Sequence, residues 1–271
     1  MTDAAAHRAE VEAWRSSRYA ALRRDVGWLT LAGLGWLRPG ENTLGTDASA
    51  DVPLPSGPPV AGAIELSSDG AVATGAFLHA GTPIDHLVLA DDRDGEPTML
   101  ELGPLRLCVI ERGGRHAVRT WDTSAPARGT FDRIDHWPVD PAWRLDATFE
   151  PTPNVTVTVP DVIGVSEVEP SPGTISFEVA GEEHRLQALA GGERGELWLV
   201  FADATSSQKT YAGGRFLYTP APADGRVVVD FNRAYNPPCV FSPYATCPLP
   251  WPENRLSVRV EAGERMFGLH R

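Results

Sequence analysis

Cysteine is scarce in this sequence: there are three in 271 residues, an odd number that excludes the disulfide framework on which small secreted domains depend. Positive charge is also short. Lysine and arginine number 24 against 36 aspartates and glutamates, a net charge of −12, which argues against nucleic-acid backbones and anionic membrane surfaces as partners. The apolar run from Trp28 to Leu37 is about ten residues long, half of the roughly 20 that a membrane-spanning helix needs. There is no serine nucleophile elbow, no P-loop and no glycine-rich dinucleotide motif ahead of a helix. No nucleotide cofactor is therefore implied, and the identity of any cofactor stays open. Nor do long helical patterns alternate with strands, which excludes parallel α/β architectures.

Arg23-Arg24 precede the apolar run in the manner of a twin-arginine export signal. Glu10, Glu12 and Asp25 are acidic, however, and Arg38-Pro-Gly-Glu follows with no small-residue cleavage site. The expectation is a soluble protein of a reducing cytoplasm. An exported chain would allow one Cys239–Cys247 bridge.

Residues from about Asp3 to Arg24 read as a helix, with Asp3 as N-cap and Val11, Trp14, Arg18, Leu22 and Val26 near helical spacing. The stripe is thin, which predicts a helix on the outside. Gly27, Gly33 and Gly35 then read as breaks, and Pro39-Gly40-Glu-Asn as a turn. After Leu44 the texture is β. Short runs at 63–67, 71–76, 84–90, 98–102, 105–111, 116–121, 143–149, 155–159, 174–179, 183–188, 196–201, 215–218, 226–231 and 256–260 make roughly fourteen strands. The intervening turns include Asp69-Gly70, Asp94-Gly95, Gly103-Pro104 and Gly113-Gly114. The fold class is mainly β, an antiparallel barrel or sandwich of many short strands with an N-terminal α-helix. Residues 1–40 are read as helix and apolar connector, and 41–271 as the β-rich domain, with a split into two packed sub-domains allowed near 125–150.

Three aspartates close apolar strands: Asp122, Asp203 and Asp230. With Arg119, Arg215 and Arg233 nearby in sequence, they are candidates for a polar cluster at the mouth of a barrel, where a partly desolvated carboxylate needs an arginine or a raised pKa. The bland alternative is that aspartate favours strand ends because it bonds turn amides. It is weakest for Asp230, which opens the stiff, proline-rich stretch Asp230-Phe-Asn-Arg-Ala-Tyr-Asn-Pro-Pro-Cys239. Gly213-Gly214 read as a bulge that aims Tyr211 and Arg215, and Asp135-His136-Trp137-Pro138 as a turn. Cys239 and Cys247 are eight positions apart with no histidine within twenty residues. A metal site would have to recruit His116, His136 or His184 from afar, so no metal is assigned. A cysteine nucleophile would likewise need a distant base.

The run 230–239, followed by Cys247-Pro-Leu-Pro, Glu253-Asn254-Arg255 and Glu261-Ala-Gly-Glu264, resembles the signature of the bacterial and archaeal family called domain of unknown function 1684. Leu29-Thr-Leu-Ala-Gly-Leu, Gly40-Glu-Asn-Thr, Thr210-Tyr and Arg215-Phe-Leu are similar to its other marked stretches, and Trp251 departs from an expected proline. The resemblance implies a widespread soluble protein and brings no settled activity. Separately, Thr43-Leu-Gly-Thr-Asp through Ala50-Asp-Val-Pro-Leu-Pro is faintly similar to the opening of forkhead-associated phosphopeptide-binding domains, without their arginine, serine/histidine and Asn-Gly positions.

The functional expectation is a small polar or acidic ligand. In a hydrolase or lyase, Asp230 serves as base or orienting carboxylate, Arg233 clamps an anion, and Tyr235 and Asn236 donate to developing charge. Arg215, Tyr211, Asp203, Arg119, Asp122 and Asn232 complete the binding set. In the competing scheme the same residues only orient a bound molecule. Neither nucleic acid nor membrane is expected as a partner, and a homodimer is allowed.

Overall fold

The computed structural model describes residues 4–93 and 95–267; the N-cap expected at Asp3 and the Asp94 half of one expected turn lie outside them. The chain divides into two units. The first takes Ala20–Phe131 and Ser242–Ala245, and the second takes residues up to Tyr19, Asp132–Phe241 and those from Thr246 onward. Among the described residues no helix is long and apolar enough to cross a membrane.

The first unit holds eleven strands: β1 (Leu31–Trp36), β2 (Gly40–Gly45), β3 (Val52–Pro53), β4 (Gly62–Ser67), β5 (Gly70–Gly75), β6 (Leu78–His79), β7 (Thr82–Pro83), β8 (Leu87–Leu89), β9 (Leu100–Leu102), β10 (Leu105–Arg112) and β11 (Arg115–Asp122). They form two sheets, ordered β1-β11-β10-β9-β6-β7 and β3-β2-β4-β5-β8, around a core that includes Leu44, Ile64, Phe77, Leu100, Leu107 and Val118. The Asp69-Gly70 signal makes the expected hairpin, with Ser67 opposite Gly70. Gly33 and Gly35, read as ending the helix, do lie past its last residue, Leu22. They lie inside β1, where a Cβ on Gly33 would come within 3.3 Å of Thr120 and one on Gly35 within 2.7 Å of Val52. The glycines are there to let the neighbouring strands close in.

In the second unit α1 (Ala4–Leu22) contributes its residues up to Tyr19. Six strands follow: β12 (Arg144–Pro160), β13 (Ser166–Val179), β14 (Glu182–Ala190), β15 (Leu197–Phe201), β16 (Arg215–Thr219) and β17 (Arg226–Asp230). They make an antiparallel sheet in the order β16-β15-β14-β13-β12-β17. The two strands expected at 143–149 and 155–159 are one, because the chain passes Pro151 to Val155 through a bulge without leaving its pairing with β13. The outer edges meet at one end. Just past β17, Tyr235 exchanges backbone hydrogen bonds with Phe216 of β16, both at 2.9 Å. That exchange closes the sheet on itself and removes part of an open edge. Phe231 fills the interior, edge-on to Phe177, Phe201 and Trp143, beside Ile175, Leu186, Leu199, Leu217 and Val229.

The strand expected at 256–260 is absent. Leu256 and Val260 are buried while Ser257, Arg259 and Glu261 are exposed, so the alternation read from the sequence is real, but the segment pairs with no strand along its length. Three backbone hydrogen bonds tie it to the chain just past β15, Ala202 N to Asn254 O at 3.0 Å, Leu256 N to Ala202 O at 2.8 Å and Ala204 N to Val258 O at 3.0 Å, and side chains do the rest. Pairing of β14 with β15 stops at Leu189/Trp198, and the next pair in register but one, Gln187 and Val200, is prised apart by Asn254. Its side chain accepts from Gln187 N at 2.8 Å and donates to Gln187 O and Val200 O, both at 2.9 Å. Asn254 has no solvent exposure, so each of those backbone groups depends on it. Farther along, the fully buried pair Arg215–Asp203 (2.7 Å) takes over. Arg215 donates to the carbonyls of Ala262, of Val260 at 2.9 Å and of Glu264 at 3.3 Å, and Asp203 accepts from Val260 N at 3.2 Å.

Truncating either anchor would leave buried groups unsatisfied. Asn254→Ala is expected to destabilise by about 3 kcal/mol, three net hydrogen bonds at ~1 kcal/mol each. Arg215→Met, which strands the Asp203 charge, is expected to cost about 3–5 kcal/mol, part of which the double change Arg215→Met/Asp203→Asn should restore. Urea unfolding of the four proteins checks both figures; equal costs for the single and double changes would mean that the pair is not coupled.

Candidate functional site

Helix α1 buries a face that hydrophobic periodicity under-reports. His7, Val11, Arg15 and Leu22 are buried and Arg18 is half-buried, and the spacing of four, four, three and four is that of a helix stripe. Three of the five are polar, which is why the apolar stripe looks thin; the rest of the helix is largely exposed, as expected of one on the outside. From this stripe His7, 1% exposed, sends Nε2 to Asp230 Oδ2 at 2.8 Å. An ionised carboxylate only accepts, so Nε2 donates, and in the neutral imidazole Nδ1 is then a lone-pair acceptor. Among the described residues Nδ1 is buried without a hydrogen-bond partner.

Asp230 ends β17 and caps the short 3₁₀ turn Phe231–Arg233. Its Oδ1 accepts from Asn232 N (3.2 Å) and Nδ2 (2.9 Å). Asn232, fully buried, also grips both backbone groups of Asp140 at 2.9 Å. Two guanidiniums face Oδ2 at 3.6 Å: Arg233, three residues on, and Arg144, its register partner across β12 and β17. Both are about one-third exposed, and both also approach Glu10, at 3.4 and 3.9 Å. The result is a buried imidazole–carboxylate pair under a partly solvated rim of two positive charges and one negative.

Other expected residues fall elsewhere. Tyr235 and Asn236 surround a second buried carboxylate, Glu264, which is paired with Arg18 and accepts from Asn236 N at 2.7 Å. Arg18 also lies 4.5 Å from the centre of the Tyr235 ring. Burial lifts the Tyr235 hydroxyl well above the ordinary tyrosine range, so it stays protonated. Tyr235 stacks on Tyr218, which stacks on Trp198, and the half-exposed Tyr218 borders a cleft of about 500 Å³ lined by Gly191, Gly192, Glu193, Arg194 and Glu196. Arg215 and Asp203 bond each other and the 260–264 backbone, and neither reaches solvent. Gly213-Gly214 make a turn, not a bulge, closed by Gly214 N to Tyr211 O at 3.1 Å; Gly214 has φ +85° and no room for a Cβ beside Phe201 O.

Asp122 and Arg119 belong to the other unit. Asp122 accepts from Ser124 N and Oγ, at 2.9 and 2.5 Å, the turn-capping role of the bland alternative. Arg119 is buried over the Trp28 ring. The three aspartates thus have three different sets of partners. In the stretch similar to forkhead-associated domains, Thr43 is taken up by Asp51, which also pairs with Arg38. Among the described residues no group of three or more His, Cys, Asp or Glu gathers as metal ligands.

A family model described as "Protein of unknown function (DUF1684)" matches residues 129–265, half of the chain. The chain belongs to the DUF1684 family. Asp230, Asn232, Arg233, Arg144 and Glu264 lie in the matched segment of this DUF1684 chain, and His7 lies outside it. The solution NMR structure of an uncharacterized protein from Haloarcula marismortui is 33% identical over 51% of this chain and 79% of that one, with a TM-score of 0.42. No curated protein matches.

Sequence reasoning does not single out His7, Glu10, Arg18, Glu264 or Arg144 as site residues. The helical spacing of His7, Arg15 and Arg18 is a usable signal; the register that sets Arg144 opposite Asp230 leaves none. His136 is also corrected: it bridges to Glu264 in extended chain rather than sitting in a turn. Nδ1 donates to Ile134 O at 2.7 Å, Nε2 has no partner, and burial lowers the pKa below the usual histidine value, opposed by Glu264. His136 is therefore neutral in the folded state, whereas the unfolded chain takes up its proton below about pH 6.5. Stability from this group is present above that value and is lost as pH falls through it. The drop in melting temperature between pH 7.5 and 5.5 should be smaller in His136→Leu than in the parent protein. An unchanged drop would show that His136 titrates alike in both states.

Proposed function

We propose that this DUF1684 protein binds a small anionic molecule at the Arg144–Arg233 rim and acts on it as a hydrolase or lyase, with His7 and Asp230 as the acid–base pair. The observation that carries this reading is the buried His7 Nδ1, which has no partner among the described residues while Nε2 is held by Asp230. A group so arranged takes a proton from water or substrate while the carboxylate stabilises the resulting imidazolium. Arg144 and Arg233 supply the charge that would neutralise a carboxylate or phosphate. Asn232 fixes Asp230, and Glu10 competes for the two arginines until an anion replaces it.

A second reading, a non-catalytic binder, draws on a different observation: the cleft beside Tyr218, whose ring extends the Trp198–Tyr218–Tyr235 series toward solvent. An aromatic platform beside backbone of two glycines suits a flat or ring-shaped ligand.

A panel of nitrophenyl esters, phosphate monoesters and lactones separates the two. On the first reading, His7→Gln and Asp230→Asn each lower kcat by about 100-fold or more on whichever substrate turns over, whereas Arg144→Gln and Arg233→Gln mainly raise KM. No turnover on any substrate, with ligand affinity lost in Tyr218→Ala and kept in His7→Gln, would replace it with the second.

A further inference from the structure

The three cysteines occupy three environments. Cys108 on β10 is 2% exposed, and burial pushes its thiol up to about 12. Cys239 is half-buried, in the 3₁₀ turn Pro238–Val240, and Cys247 is 3% exposed. These two touch: Cys239 N donates to Cys247 Sγ at 3.1 Å. The Cys247 thiol, outweighing burial, holds Cys239 below the ordinary cysteine value. Tyr211, expected above at a ligand site, lies in the field of both sulfurs. Pro237 and Pro238 stiffen the backbone before one cysteine and Pro248 after the other.

We propose that Cys239 and Cys247 are a redox-active dithiol whose co-substrate is a small disulfide of the glutathione type. The thiolate of Cys239, the less buried of the two residues, attacks one sulfur of that disulfide, breaking its S–S bond, releasing one thiolate and leaving a mixed disulfide on Cys239. Cys247 then gives up its proton and attacks the Cys239 sulfur, expelling the second thiolate and closing Cys239–Cys247. Two protein thiols lose two electrons and two protons, and the small disulfide becomes two thiols. The roles follow from position: the sulfur of the less buried residue, with the lowered pKa, attacks, and that of the buried residue, steadied by the Cys239 N–H, resolves. Cys108 takes no part because its thiol is buried and protonated.

The test treats the full chain with oxidised glutathione, blocks remaining thiols with iodoacetamide under denaturing conditions, and digests with trypsin. Both cysteines fall in one peptide, Ala234–Arg255. It should appear lighter by two hydrogens and unalkylated, while Cys108 is alkylated throughout. In Cys247→Ser, glutathione should accumulate on Cys239; in Cys239→Ser, Cys247 should remain a thiol. Full alkylation of the wild-type peptide, or a lasting glutathione adduct on wild-type Cys239, overturns the proposal. If a serine variant fails to fold, the wild-type peptide alone decides.

Discussion

The ion pair between Arg215 and Asp203 is the contact on which the ordering of the second unit depends. Both side chains are out of water, so each is tolerable only because the other is present and because all their remaining hydrogen-bonding groups but Arg215 Nε find backbone partners. Those partners are the amides and carbonyls of 260–264, a segment with no strand to pair with. Fixing it fixes Glu264, which binds Arg18 and the amide of Asn236. Arg18 belongs to α1, so the same contact sets the register of the helix that carries His7 to Asp230. A packed apolar pair in place of Arg215–Asp203 could fill the volume, but it could not hold four backbone groups in one arrangement.

Asn254 solves a related problem. A sheet that curls must let some neighbours separate, and the separated backbone groups are costly if buried without partners. An asparagine side chain carries one acceptor and two donors, the set needed to stand in for a missing pair between β14 and β15. Closure by Tyr235 on Phe216 and filling by Phe231 then complete the interior. The proline-rich 230–264 stretch is thus scaffold and site support together: its stiffness limits the arrangements that its polar side chains must choose among.

What is legible in the sequence is what depends on local pattern. Strand alternation, the Asp69-Gly70 hairpin and the helix at the start follow from periodicity and turn chemistry, and the structure has them. The alternation of 256–260 is a true sign of burial and a false sign of a strand, because period two reports which residues face inward and says nothing of whether a neighbouring strand exists. That Gly33 and Gly35 make room inside a strand is not legible, because the close approach of Thr120 and Val52 is a tertiary fact. The weight on Asp230 is sound in the sense that this carboxylate is buried and multiply bonded, but grouping it with Asp122 and Asp203 assumes that like positions on strands share a neighbourhood. Their partners are set by the order of the sheets.

The helix shows most clearly where such reading runs out. A stripe of His, Val, Arg, Arg and Leu holds only two apolar side chains, so equating burial with apolarity assigns it to solvent. It is buried because the surface it meets is polar: Asp230, the carbonyl of Trp137, Glu264 and the face of Tyr235. A polar stripe against a polar surface costs desolvation that an apolar one avoids, and a helix needed only to cover the sheet would do so more cheaply with leucine. Arg15 and Arg18 answer that objection, since each satisfies carbonyls or a carboxylate that would otherwise be orphaned. His7 answers only half of it. One ring nitrogen repairs Asp230, which Arg144 and Arg233 already flank, and the other is left buried and unbonded among the described residues. His136 and His184 carry the same cost at Nε2, so what sets His7 apart is that its other nitrogen holds Asp230 beneath the Arg144–Arg233 rim.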